Sequence, residues 1–124
     1  MNVNLKIDLS ESGLRLVFKP YQEVAMKYLW SLGDRYASTL DVYAHVNKQL
    51  EEGISRASII NFLDKMQGNG FLTYITRTGK GGKRRLYRPI YDQQEFWEVV
   101  KQRVEEKIAE AIEEAKEPPT MGKT

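Results

Sequence analysis

Apolar and polar residues alternate along the start of the chain, at Val3, Leu5, Ile7 and Leu9 and again, after "SESG", at Leu14, Leu16 and Phe18. A period of two marks a strand with one buried face, and two such runs around a polar break predict an N-terminal β-hairpin over residues 1–19. The period then lengthens. Pro20 suits a first helical turn, and "PYQEVAMKYLWSLG" places Val24, Tyr28 or Leu29, and Leu32 at helical spacing before Gly33 stops the run. After the polar link "DRYAS", Ser38 or Thr39 can cap a second helix with Val42, Val46 and Leu50 in one stripe, closing at "EEG". Ser55 caps a third, "RASIINFLDKMQGNG". There Ile59, Phe62, Leu63 and Met66 share one arc of the helical wheel, and Gly68, Asn69 and Gly70 supply left-handed residues to end it.

Two β-rich runs follow, "FLTYITRT" and "RRLYRPIY", on either side of "GKGGK". They predict a second hairpin over residues 71–91, with a long flexible tip and Pro89 on an edge. Residues 92–117 read as one helix in which Trp97, Val100 and Val104 recur eleven residues later as Ile108, Ala111 and Ala115, a repeat that keeps a nearly straight seam. Phe96 and Trp97 are expected to anchor it within its own chain. The stripe of Val100, Val104, Ile108, Ala111, Ile112 and Ala115 extends farther than so small a core can cover and is expected to bury itself against a second copy. The tail, 118–124, is expected to be disordered.

Composition narrows the chemistry. The 124 residues contain no cysteine and a single histidine, His45, so disulfides, thiol catalysis and a zinc site are not expected. His45, one turn from Val42, reads as a partly exposed helix residue rather than a ligand. No stretch is long and apolar enough for a bilayer and the N-terminus lacks a signal-peptide core, so a cytoplasmic protein with no membrane partner is expected. "GKGGK" lacks the spacing of a phosphate-binding loop and precedes a strand rather than a helix. Neither a cofactor nor a catalytic site is expected.

The distribution of charge is more informative than the composition. The net +2 divides into −1 over residues 1–52, +7 over 53–91 and −4 over 92–124. A basic middle between a neutral start and an acidic end points to a polyanion-facing surface in one place. Three short helices, the third followed at once by a basic hairpin, is the order of a winged helix-turn-helix. The fold class is therefore α+β: a winged-helix domain over 1–91, with its N-terminal hairpin, and a long C-terminal dimerisation helix.

In that arrangement the third helix enters the major groove of double-stranded DNA and the hairpin, the wing, lies along the backbone. The outer arc of the third helix offers Arg56 for guanine, Ile60 for a thymine methyl, Asn61 for adenine and Asp64 for cytosine if it meets a donor, beside Ala57 and Lys65. Base contacts are expected from Arg56, Ala57, Ile60, Asn61 and Lys65. Backbone contacts are expected from Ser55, Arg77, Lys80, Lys83, Arg84 and Arg85, with Arg88 as a further phosphate-neutralising cation and Tyr74 and Tyr87 as possible stacking platforms. An alternative reading is a winged helix that binds protein and not DNA.

Over residues 21–89, "YQEVAMKYLW", Thr39 with "DVYAHV", "ISRASIINFLDKMQGNGFLTY" and "YRP" resemble the penicillinase-repressor family of dimeric winged-helix transcriptional repressors. The nearest correspondence is "SIINFLDKMQGNGFL". Regulators of the multiple-antibiotic-resistance type share the same core. The resemblance implies a homodimeric repressor. Two departures, the N-terminal hairpin-like segment and the single uninterrupted C-terminal helix, prevent the family's dimer geometry from being carried over.

Overall fold

The computed structural model describes residues 5–117, so Val3 and the tail 118–124 lie outside the described residues. No strand precedes Pro20 among them, and the expected N-terminal hairpin is replaced by an irregular segment ending in a 3-10 turn, Gly13–Leu16. A backbone bond from Asp8 N–H to Leu16 C=O, at 2.8 Å, closes it. Burial explains the difference: Leu14, Val17 and Phe18 are inside, at helical rather than strand spacing, while Ile7 and Leu9 face solvent. The Asp8 carboxylate also accepts the backbone N–H and the hydroxyl of Ser10, an Asx turn that competes with strand pairing and holds the carboxyl below its ordinary range.

Helix α1, Pro20–Ser31, begins with its proline at the first turn and with Gln22 Oε1 accepting the Lys19 N–H at 2.9 Å. Its buried residues are Ala25, Met26 and Leu29, so the inner stripe is rotated relative to the expected Val24 and Leu32, which are half-buried. On its outer side Glu23 joins Arg15 at 2.7 Å and Lys27 at 3.1 Å. Burial alone would push the Glu23 carboxyl up, but these two partners outweigh it and hold it below its ordinary value.

The link "DRYAS" contains a strand too short to leave a pattern, β1, Ala37–Ser38. Helix α2, Thr39–Gln49, starts from a reciprocal cap: Ser38 Oγ accepts the Asp41 N–H at 3.1 Å and Asp41 Oδ2 accepts the Ser38 N–H at 3.0 Å. Val42 and Val46 are fully buried. His45, half-buried, stacks on Tyr28 of α1 with ring centroids 4.3 Å apart.

The corner between the second and third helices is held by Asn47, whose amide donates to Tyr43 C=O at 2.9 Å and accepts the Ile54 N–H at 2.7 Å. Helix α3, Arg56–Gly68, buries Ile59, Phe62, Leu63 and Met66 as its wheel requires. Phe62 meets Phe18 and Tyr21 edge-on, at 5.8 and 6.1 Å. Of the three residues expected to end this helix only Gly70 is left-handed, with φ +84°; Gly68 is helical and Asn69 has φ −85°.

Strands β2, Leu72–Gly79, and β3, Gly82–Pro89, pair antiparallel in a ribbon whose tip is the two-residue turn Lys80–Gly81 rather than a long flexible loop. The sheet order is β1-β3-β2. Pro89 therefore ends a strand that is central at its base, not an edge. It lies beyond the two residues that pair with β1, so its missing N–H removes no bond from that ladder.

The chain divides into two compact units after Asp92. The second holds helix α4, Gln93–Lys116, roughly 36 Å long at its 24 residues. Phe96 and Trp97 meet edge-on at 5.4 Å, Phe96 and Val100 are its buried residues, and every position over 105–117 is exposed. No helix among the described residues is long and apolar enough to cross a membrane.

Candidate nucleic-acid interface

With the inner arc of α3 committed to the core, Arg56, Ala57, Ile60, Asn61, Asp64 and Lys65 are left exposed. Their surroundings separate them. Arg56, Ile60 and Asp64, spaced four apart, line one wall of a cleft of about 480 Å³. The other wall is Arg84, Arg85 and Tyr87 of β3, and Ser38, Thr39 and Leu40 contribute from the start of α2. Ala57 and Asn61 stand outside this cleft on the exposed side of α3. Lys65 lines a different cavity of about 500 Å³, with Phe62, Phe18, Lys19 and the segment before α1. The structure thus brings Arg56 and Ile60 together with Arg84 and Arg85, and sets Lys65 apart from them.

Ser55, expected on the DNA backbone, caps α3: its hydroxyl oxygen accepts the Ser58 N–H at 3.1 Å and donates to Ser58 Oγ at 2.9 Å. It remains exposed at the helix start, where the dipole favours an anion.

Along the ribbon, residues directly paired share a face, so Arg77 and Arg84 stand on one side while Lys83 and Arg85 stand on the other, beside Thr78 and Thr76. Lys80 occupies the tip. Among the described residues Arg56, Arg77, Lys80, Lys83 and Arg84 have no acidic partner, which leaves their charge available to a polyanion.

Asp64 meets the donors it lacked in sequence, but they belong to the protein. Its Oδ1 accepts from Tyr87 OH at 3.0 Å and from Arg85 Nη1 at 3.1 Å, so it does not stand free to receive a cytosine amine. Tyr87 is 2% exposed and so is no stacking platform. Tyr74 carries the Arg85 guanidinium 4.3 Å over its ring. Burial pushes the Tyr87 phenol up; Arg85 opposes that shift and Asp64 reinforces it. Arg88 also departs from expectation: its Nη1 lies 3.6 Å from Asp34 Oδ1 and its guanidinium 5.5 Å from the Tyr36 ring, at the base of the sheet.

Sequence reasoning missed the contribution of Ser38, Thr39 and Leu40. The Ser38-to-Asp41 capping spacing was the available signal, since it fixes where α2 begins and so which residues stand at its start. No group of three or more metal-ligating side chains occurs among the described residues.

Several solved structures are similar to this chain. A proposed transcriptional regulator from Thermoplasma acidophilum superposes with a TM-score of 0.51 at 14% identity, over 77% of this chain and 90% of that one. A second, from Methanosarcina mazei, gives 0.57 at 14% identity over 81% of each chain. A PadR family transcription regulator from Clostridium difficile gives 0.49 at 17% identity, over 74% of this chain and 97% of that one. No protein-family model and no curated protein sequence matches the chain. The chain has the winged-helix α+β fold, and these likenesses do not single out the penicillinase-repressor family.

Proposed function

We propose that the protein is a double-stranded-DNA-binding transcriptional regulator, acting as a homodimeric repressor that places α3 in the major groove and the β2–β3 ribbon on the backbone. One observation carries the reading: Arg56 and Ile60 of α3 share a cleft with Arg84 of the ribbon, and neither arginine has an acidic partner among the described residues. A duplex is the ligand that needs both at once, base edges for the helix and phosphates for the ribbon. Arg56, Ala57, Ile60 and Asn61 read bases in this arrangement, and Arg77, Lys80, Lys83 and Arg84 neutralise phosphates. The names of the Thermoplasma and Methanosarcina chains accord with it.

The second copy is supported by α4, where Ile108 and Ile112 are each 53% exposed on one side of the helix, with Ala111 and Ala115 beside them. Val104 is half-buried and Val100 buried, so the stripe left for a partner runs over residues 104–115. Changing Ile108 and Ile112 together to aspartate should convert a dimer to a monomer in sedimentation equilibrium.

The DNA reading is tested by fluorescence anisotropy against duplexes selected from genomic fragments. Four phosphates neutralised per protomer, eight per dimer, give a slope of log affinity on log salt of about −7, roughly a ten-thousandfold loss between about 50 and 200 mM salt. Alanine at Arg77, Lys80, Lys83 and Arg84 together should abolish binding while the melting temperature holds. Binding that ignores salt, or survives the quadruple change, overturns the reading.

A further inference from the structure

Over residues 53–91 there are eight basic side chains and one acid, Asp64. On a surface shaped for a polyanion an exposed carboxylate repels the ligand, so its presence on the outer side of α3 calls for a compensating role. Its contacts supply one. Both donors to Oδ1 come from β3, Arg85 at 3.1 Å and Tyr87 at 3.0 Å, and they stand two residues apart on one face of the strand. Tyr74, directly across from Tyr87, lies under the Arg85 guanidinium at 4.3 Å. Arg85 is therefore held by a carboxylate at one end and an aromatic face beneath, while Arg84, next along the chain, has no acidic partner among the described residues.

We propose that Asp64 is a specificity-determining positioning residue: it holds Arg85 against Tyr74 between α3 and the ribbon, withdraws that cation from indiscriminate phosphate binding, and fixes the ribbon's angle to the helix that reads the bases. The inference rests on the DNA-binding reading above. Binding to an arbitrary duplex depends on how many cations are free to release counterions. Binding to the target depends on Arg56, Ile60 and the ribbon engaging in one register, which a fixed angle favours. Removing the carboxylate acts on the two in opposite directions. Arg85 becomes a free cation and strengthens arbitrary binding, while the loosened ribbon weakens target binding.

The test compares the full chain with Asp64→Asn, Asp64→Glu, Arg85→Ala and the double variant Asp64→Asn/Arg85→Ala, each shown to be folded by thermal melting. The measurement is the salt slope on a duplex of arbitrary sequence and the ratio of target to arbitrary affinity. Asp64→Asn should steepen the slope by about 0.9 per protomer and lower the ratio severalfold. Asp64→Glu should restore the original slope, and the double variant should return to it because the freed cation is gone. Arg85→Ala alone should leave the slope where it was. A slope that flattens by about 0.9 on Arg85→Ala alone makes Arg85 a phosphate contact and overturns the proposal.

A readout without DNA separates this inference from the reading beneath it. In the free protein the Arg85 guanidinium nitrogens should give separate NMR signals that merge in Asp64→Asn. Separate signals in a chain that binds no duplex would leave the Asp64–Arg85 contact standing and remove its role in specificity. Merged signals in the unaltered chain, with DNA binding intact, would overturn the inference alone.

Discussion

The corner between α2 and α3 and the tip of the β2–β3 ribbon each depend on a glycine with positive φ, +71° at Gly53 and +95° at Gly82. Their surroundings are opposite. A Cβ built on Gly53 would come within 2.8 Å of Asn47 Oδ1, the atom that accepts the Ile54 N–H, whereas one built on Gly82 meets nothing within 4 Å. At the corner, conformation and packing both demand glycine, and the angle at which α3 leaves α2 is set by neighbours. At the tip only the turn demands it, and the side chains around it are left to the solvent. The corner carries the face of α3 proposed to read bases; the open tip carries the cations.

Gly53→Ala should have the largest effect, about 2–3 kcal/mol of stability in urea unfolding, from left-handed strain of about 1–2 kcal/mol and the displaced Asn47 bond of about 1 kcal/mol. An effect no larger than that of an open glycine would erase the contrast. Asn47→Ala keeps the corner glycine but leaves the Ile54 N–H without its acceptor, and should lower stability by about 1–2 kcal/mol in the same assay. Gly82→Ala should cost only the strain, about 1 kcal/mol, and leave the helical amides as protected in hydrogen exchange as before. Lys80→Ala, at the tip itself, should change stability by less than about 0.5 kcal/mol yet flatten the salt slope of DNA binding by about 0.9 per protomer. If Lys80→Ala unfolded the ribbon, the tip would have to be reclassified as packed structure.

What could be read from sequence was what is decided locally. The starts of α2 and α3 follow from Ser38 and Ser55 bonding to backbone groups three residues on, and the inner arc of α3 follows from its wheel. The N-terminal segment was misread because Leu14, Val17 and Phe18 fit a helical turn while their neighbours imitate a strand. β1 was missed because two residues carry no period, and their partners Leu86 and Tyr87 lie about fifty positions on. The same distance rule divides the site. Arg56 and Ile60 stood out on one helix, but the role of Asp64 depends on partners 21 and 23 residues away, which no spacing signals.

The pairing of Arg77 with Arg84 across the ribbon has a consequence for the protein before any duplex is present. Two guanidinium groups on one rung repel, so the outer ribbon should exchange its amides fastest in dilute buffer, and inorganic sulfate or phosphate should slow that exchange by easing the repulsion. A ribbon arranged in this way should stiffen as anions gather, so that under the proposed DNA binding the phosphates themselves would complete its ordering.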